Sequence, residues 1–401
     1  MLRLAMNNWV AKIAATLLNF GTVIALSRNL GAEGRGICAF YVVIFAFILV
    51  INELAAGSTI VYLQKNYSWK QMRLVAAMWS FAASGIVTTG FFFFGYFGYT
   101  EWALIWIICV VNALVTIQYN ILLGKQKYVV FNLLAVLTPA TVLVLFALSA
   151  LLKQGSPLRY LQVILIANLI SFFIGYFYLL TKGEDGAPGK PIREVITVAF
   201  SSGLINQAGH MLSILNSRYI YLIFAATALG VYTNAQSLAE SMLLIPGSLG
   251  QIYYSQHADH PAGSHQKANR SFLFFLKVNT GIMLLGLLAI LLIPAQFYQW
   301  IFGPGFIGVK SFLLLTGVIS AAYSVFLIIS YWQSAQGLFI NNLKASVTGI
   351  FVNIAGIAIL WTTGNLTIFN TLWVMLAATI TVSVFALNQF RIQRNRLMTI
   401  D

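Results

Sequence analysis

The sequence predicts an all-α polytopic membrane protein, with about twelve transmembrane helices in two six-helix bundles and both termini cytoplasmic. Its 401 residues are 60% hydrophobic and only 8% charged. A soluble domain carries roughly 25% charged residues, so this chain lacks the polar surface to cover a water-exposed fold. Apolar runs of about 18 or more residues, the length that crosses a bilayer, recur from end to end. The basic residues sort to alternate loops, as the positive-inside rule asks of a membrane protein.

Hydropathy places helices at 6–28, 37–63, 74–98, 102–123, 128–152, 158–181, 195–224, 231–254, 271–299, 310–335, 343–362 and 366–390. A helix of about twenty residues covers the hydrocarbon core, and most of these runs reach that length. The longer ones have room to tilt or protrude. The first run is already of spanning length, and no small-residue cleavage site follows it. It therefore reads as a first span and not as a removable leader. Helix 1 stops at Leu30–Gly31. The stretch Thr181–Glu194 between helices 6 and 7 holds Gly183, Gly186, Pro188, Gly189 and Pro191, so it reads as a flexible breaker. The other long polar stretch, Ser255–Arg270, follows helix 8. The expected organisation is a first bundle over 1–181, a cytoplasmic linker over 182–194, and a second bundle over 195–401 with a short basic tail. Cys38 and Cys109 both fall inside apolar runs and read as small core hydrophobes.

Net charge is +14. With the N-terminus inside, fifteen of the 23 Lys and Arg residues fall on the cytoplasmic side, five on the outer side and three within helices. That asymmetry accounts for the basic balance and fixes both termini inside, in agreement with an even helix count. Nucleic-acid binding would need a basic face with base-reading groups, and the loops are too short to build one.

A weak internal repeat relates the halves. Helix 1 ends in Leu30–Gly31 and helix 7 in Leu229–Gly230, and each short turn opens a long helix with one acidic residue, Glu53 or Glu240. Two equivalent halves meeting near the bilayer centre are the architecture of many transporters. Six helices per half put the pseudo-twofold axis along the membrane normal.

A charge in hydrocarbon costs roughly 2.5–3.5 kcal/mol on insertion scales, so embedded charges face a bundle interior or a water-filled cavity. Helix 1 aligns Asn8, Lys12, Asn19 and Thr22 on one face, and helix 7 aligns Ser202, Asn206, His210, Ser213 and Ser217, with Arg218 beside the last. The two stripes read as polar walls of one shared cavity. The substrate-facing candidates are Lys12, Arg28, Arg218, Lys277, Asn19 and Asn206. For the long cations the alternative is snorkelling of the head group to the interface. Glu53, Glu240 and His210 are the coupling candidates, with a hydrogen-bonded core role as the alternative for His210. The Gly303-Pro-Gly305-Phe-Ile-Gly308 string matches the dinucleotide fingerprint in letters only, since no strand precedes it. His257, His260 and His265 lack accompanying cysteines and read as a solvated loop. No aspartate lies in a predicted helix, so paired catalytic carboxylates are hard to assemble. No catalytic residue, metal or cofactor is expected.

Three stretches carry a resemblance. The turn Arg28-Asn-Leu-Gly-Ala-Glu-Gly-Arg-Gly36, the segment Ile293-Pro-Ala-Gln-Phe-Tyr-Gln-Trp-Ile-Phe-Gly-Pro-Gly-Phe306 with Lys310 after it, and Gln333-Ser-Ala-Gln-Gly337 resemble the polysaccharide-exporter and O-antigen flippase proteins. That family belongs to the multidrug/oligosaccharidyl-lipid/polysaccharide exporter (MOP) superfamily. The resemblance implies a MATE-like fold and alternating access in a bacterial inner membrane. It implies as cargo a polyprenyl-diphosphate oligosaccharide carried to the outer leaflet for polysaccharide synthesis. Partners would be the lipid bilayer, a polysaccharide polymerase and a chain-length regulator. Coupling would be to protons, sodium or the membrane potential. Cationic groups such as Lys12, Arg28 and Arg218 suit a diphosphate. The competing readings are a multidrug or metabolite exporter of the same fold, which would want an acidic cavity, and a membrane polymerase or ligase, which would want a long external loop.

Overall fold

The computed structural model describes residues 2–56, 67–125, 127–182, 190–200, 220–224, 226–257, 265–335 and 338–398. Contacts divide the chain into two compact units, Met1–Met211 and Leu212–Asp401. Both are helical throughout their described residues, apart from short turns. Nine described helices are long and apolar enough to cross a membrane, so the chain is a multi-pass membrane protein.

The first unit contains α1 (Leu2–Ala56), α2 (Trp69–Phe93), α3 (Tyr99–Gly124), α4 (Tyr128–Leu151) and α5 (Pro157–Lys182), and residues 192–200 are also helical. Helix α1 is two helices joined at Gly31, which has φ 66° and ψ −171°. Fifty-five residues in a straight helix would reach about 80 Å, well over twice the hydrocarbon core, so the chain must reverse. It reverses at one residue. Only glycine takes that backbone conformation without a Cβ penalty. Helices 1 and 2 of the sequence reading are therefore joined without a separate loop.

Side-chain clusters fix the helix directions. Leu26 and Cys38, which flank the Gly31 turn, share a core with Phe97 and Ile105 at the start of α3, Phe146 near the end of α4 and Tyr160 at the start of α5. Trp69 at the start of α2 shares a second core with Ile121 and Leu122 at the end of α3, Leu134 early in α4, Leu179 at the end of α5, and Val195. The helices run up and down, and the start of α2, the α3–α4 turn, the end of α5 and the start of residues 192–200 lie at one end. That end holds Lys70, Arg73, Lys125, Lys127, Lys190 and Arg193, which marks it as cytoplasmic.

The second unit contains α6 (Ile220–Ile223), α7 (Ala226–Ser241), α8 (Leu244–His257), α9 (His265–Leu292), α10 (Ala295–Phe302), a 3₁₀ turn at Pro304–Phe306, α11 (Val309–Ala335), α12 (Phe339–Thr362) and α13 (Ile368–Met398). Hydropathy predicts one helix over 231–254, and the structure breaks it between α7 and α8. The cause is Pro246, which has no N–H to offer the Met242 carbonyl. The chain tightens instead, with the amides of Met242 and Leu243 donating to Ala239 and Glu240. Pro294 likewise ends α9 at Leu292 and opens α10, where one helix over 271–299 was expected. Buried Pro139 sits inside α4 without breaking it. Membrane helices tolerate such a proline when neighbours satisfy the freed groups.

Aromatic packing closes one end of this unit. Phe272 lies 4.7 Å from Phe390 and Trp332 lies 4.8 Å from it, between ring centroids. Helices α8 and α11 approach closely at Gly250. A Cβ there would stand 2.0 Å from Cδ2 and 2.6 Å from Cε2 of Tyr331. Small residues at such crossings let membrane helices pack by contact.

Candidate functional site

The polar stripe on α1 divides in the structure. Lys12 and Asn19 are exposed on the helix surface, as is Arg28 near the Gly31 turn. Thr22 is buried, and its hydroxyl donates to the Leu18 carbonyl at 3.1 Å. Threonine satisfied by its own backbone needs no other partner. Exposed polar groups on a membrane segment either meet water or a polar ligand, or reach the interface by snorkelling. Lys277 on α9 is exposed too. The side chain of Asn8, and Asn206, His210 and Arg218 altogether, lie outside the described residues, as do Ser202, Ser213 and Ser217 of the helix 7 stripe.

The two candidate coupling carboxylates are both half-buried, and the turn expected at Leu229–Gly230 is not found, since α7 runs through it. Glu240 is half-buried in the last turn of α7, one residue before Ser241 and the break made by Pro246. It accepts a hydrogen bond from Gln236 Nε2 at 2.7 Å. Glu53 is half-buried in the last described turn of α1. Glu240, in the last turn of α7, meets the negative end of that helix's macrodipole, at a cost of about 0.3–1 kcal/mol. Folding does not favour that placement, which makes Glu240 stand out from ordinary surface acids.

Several polar groups in the core escaped sequence reasoning. Arg35, one of the five cations expected on the outer side, is only 6% exposed. It lies close enough to Tyr160 and Cys38 to act on them electrostatically. Tyr41 donates its hydroxyl to Glu101 Oε1, and Glu101 Oε2 accepts the Gly98 amide at 2.8 Å, capping α3. Asn52 Nδ2 donates to Ser84 Oγ at 3.1 Å, and Asn279 Nδ2 donates to Ser324 Oγ at 3.0 Å. Thr138 and Ser171 share a 2.6 Å bond beside Tyr119. One signal was available, since Ser80, Ser84 and Thr88 repeat at four-residue spacing on α2 and all are buried.

At the cytoplasmic end of the first unit the chain is fastened by side chains. Gln71 donates through Nε2 to the Lys190 carbonyl at 2.8 Å, and its Oε1 accepts the Lys190 amide at 3.1 Å. Lys190 Nζ and Tyr67 Oη both donate to Glu194 Oε1 at 2.9 Å. The ammonium of Lys190, and then the phenol of Tyr67, hold the Glu194 carboxyl below the usual carboxylate range. The same contact to Glu194 raises Lys190 and Tyr67 above their ordinary values.

Among the described residues no three His, Cys, Asp or Glu side chains gather into a possible metal site. Cations and amides on exposed helix faces, with half-buried carboxylates, can bind and release a solute and exchange protons. They contain no nucleophile–base pair.

No protein-family model matches the chain, and no curated protein matches it. Solved structures do. The chain is similar to a multidrug-resistance MATE family transporter of the MOP superfamily in an inward-facing conformation, with TM-score 0.70 and 15% identity over 98% of this chain and 99% of that one. It is similar to the MATE multidrug transporter DinF-BH in complex with rhodamine 6G, with TM-score 0.70 and 14% identity over 99% and 96%. It is also similar to a MOP superfamily transporter from Pyrococcus furiosus in which a reversed polarity of the binding pocket suggests a different function, with TM-score 0.62 and 14% identity over 99% and 96%. From end to end, this chain has the fold of the MATE transporters of the MOP superfamily.

Proposed function

We propose that this chain is a MOP-type membrane exporter that works by alternating access and performs no covalent chemistry. The full-length likeness to solved MATE transporters carries the reading. Those neighbours are multidrug transporters, and they favour export of a small organic solute over the flippase implied by the turn motifs.

The flippase remains the second reading, on one observation. The exposed polar groups of α1 include Lys12, Asn19 and Arg28, and a lysine and an arginine suit a diphosphate or an acidic sugar better than a cationic drug. In either case Lys12, Arg28, Lys277 and Asn19, with Arg218 and Asn206, are the substrate-facing groups, and Glu53, Glu240 and His210 carry the coupling by protons or sodium. The location is a bacterial inner membrane. A polysaccharide polymerase and chain-length regulator are partners only on the flippase reading.

Purified protein in proteoliposomes separates these readings. One arm follows rhodamine 6G under imposed proton and sodium gradients. The other follows a fluorescent polyprenyl-diphosphate oligosaccharide with an impermeant quencher that reports its leaflet. Gradient-driven movement of the dye alone establishes the exporter. Leaflet exchange of the lipid alone establishes the flippase. Movement of neither probe, with neutral and anionic solutes also inert, would refute transport.

A further inference from the structure

We propose that α10 of the second unit is an interfacial anchor that lies along the boundary between headgroups and acyl chains of the outer leaflet, with the phospholipid surface as its partner.

Its level in the membrane follows from the two helices it joins. The apolar spans Phe272–Leu292 of α9 and Val309–Ser334 of α11 leave α10 between their ends. They are antiparallel neighbours along their length. Phe272 lies 5.9 Å from Trp332 between ring centroids, Asn279 bonds Ser324 at 3.0 Å, and a Cβ on Gly317 would stand 3.1 Å from Ile290. At the last pair, Lys310 Nζ donates to the Leu291 carbonyl at 3.1 Å. The opposite end holds Arg391 and, 5.8 Å over the Phe390 ring, Arg394. Asn342 bonds the Ser330 carbonyl there and brings Lys344 to the same end. Three cations mark that end as cytoplasmic and the Lys310 end as outer. An ammonium is costly in hydrocarbon, so the contact of Lys310 with Leu291 marks the polar edge of the bilayer. Helix α10 starts at Ala295, about one turn beyond Leu291, and therefore at that edge.

The side chains of α10 sort into three sectors. The helix runs from Pro294 to Gly303, which has φ 109°, and holds no charged residue. Tyr298 and Phe302, one turn apart, are buried and fasten the helix to the unit. Phe302 lies 6.0 Å from buried Phe306 between centroids. At about 3.6 residues per turn, Gln296 and Gln299 fall on one flank of that buried face and Phe297 and Ile301 on the other. Trp300 falls opposite it, between the two flanks. It is 69% exposed and Phe297 is 42% exposed, with their ring centroids 6.2 Å apart.

A helix surrounded by water gains nothing from an apolar flank, and one surrounded by hydrocarbon gains nothing from two amides. A helix at the interface meets protein, water and acyl chains at once, and α10 has a face for each. The indole of Trp300 stands on the dividing line, where an amphipathic ring is favoured. The lipid surface reaches that point, because Leu284, Leu288 and Leu291 present one exposed face of α9 up to its end. A second copy of the chain fits less well. Two exposed aromatics offer at most about 500 Å², against about 800 Å² per partner in a stable interface.

The test is spin labelling of the full chain in phosphatidylcholine vesicles, at single cysteines introduced by Gln296→Cys, Phe297→Cys, Gln299→Cys and Trp300→Cys. Cys38 and Cys109 are buried, so the parent should take up no label. Power saturation compares access of oxygen, which concentrates among acyl chains, with access of a neutral nickel chelate, which stays in water. The oxygen-to-nickel ratio should be several-fold higher at 297 than at 296 and 299, and intermediate at 300. Low ratios at all four positions would place α10 in water, and high ratios at all four would place it in hydrocarbon; either overturns the proposal. Spin–spin broadening that vanishes on dilution with unlabelled protein would overturn the lipid partner in favour of a second copy. In intact spheroplasts an impermeant maleimide should react at 296 and 299, and reaction only after lysis would overturn the outer-leaflet placement. If Phe297→Cys fails to assemble, Ile301→Cys reads the same flank.

Discussion

Replacing Gly250 by alanine should destabilise the second unit, and replacing Tyr331 as well should reverse the sign of the effect. The new methyl would meet ring carbons of Tyr331 at 2.0, 2.6 and 2.8 Å. Ordinary carbon–carbon contact is about 3.5–4.0 Å, so the ring or the helix must move by about 1.5 Å. Overpacking of this kind costs about 1–3 kcal/mol. Alanine returns about 1 kcal/mol of helix propensity over glycine. The net expectation for Gly250→Ala is a loss of up to about 2 kcal/mol. In a Tyr331→Ala background the clash is absent, and the same change should be neutral or stabilise by up to about 1 kcal/mol. The coupling across the double-mutant cycle is then about 2 kcal/mol, within the range measured for residues in contact. Reversible unfolding in mixed micelles, titrated with dodecyl sulfate, gives the four stabilities. An equal penalty in both backgrounds would refute the idea that the Tyr331 ring on the Gly250 backbone sets the α8–α11 approach.

Other expectations follow from named contacts. Glu240→Gln should leave expression and melting temperature near the parent values and abolish the dependence of transport on an imposed proton or sodium gradient; unchanged coupling would remove Glu240 from that role. Lys12→Ala and Arg218→Ala should each lower transport by about tenfold or more, the loss of roughly one charged contact, while membrane insertion is preserved; normal rates in both would refute the cationic-face assignment. Asn279→Ala should cost about 0.6–1.7 kcal/mol, because the bond from Asn279 to Ser324 joins two membrane helices; the same unfolding titration measures it. The fastening at Glu194 should depend on pH in both directions. Its carboxyl is lowered in the folded protein, so the contact is complete above the ordinary carboxylate value of about 4.3 and is lost as pH falls through the lowered one. Lys190 is raised, so its share is complete below the ordinary lysine value of about 10.4 and is lost only above that. Hydrogen-exchange protection of the Lys190 amide, corrected for intrinsic rates, should drop in acid in the parent and be low at all pH in Glu194→Gln. A flat acid profile would count against the assignment.

How much of this was legible depends on the range of the physics. Bilayer crossing is a local property of composition, so the spans and their sorting by charge could be read from runs of residues. The reversal at Gly31 was visible as a turn but not as a one-residue joint, because dihedral angles are not written in hydropathy. Proline is ambiguous by itself. Pro246 and Pro294 break their helices, whereas Pro139 stays inside α4. The burial of Arg35 and the capping of α3 by Glu101 with Tyr41 as a second donor depend on contacts between distant segments. No local pattern announces them.

The joint at Gly31 also limits where the chain can be edited. A loop of many residues absorbs an inserted tag or epitope at small entropic cost, since closure entropy grows only slowly with length. A single left-handed residue between two crossings has no slack to lend. An insertion there would shift one crossing against the other or pull its end out of the bilayer. Any residue other than glycine would have to adopt the same angle. The first two spans of this chain therefore enter and leave any engineering scheme together, as one covalently pinned hairpin.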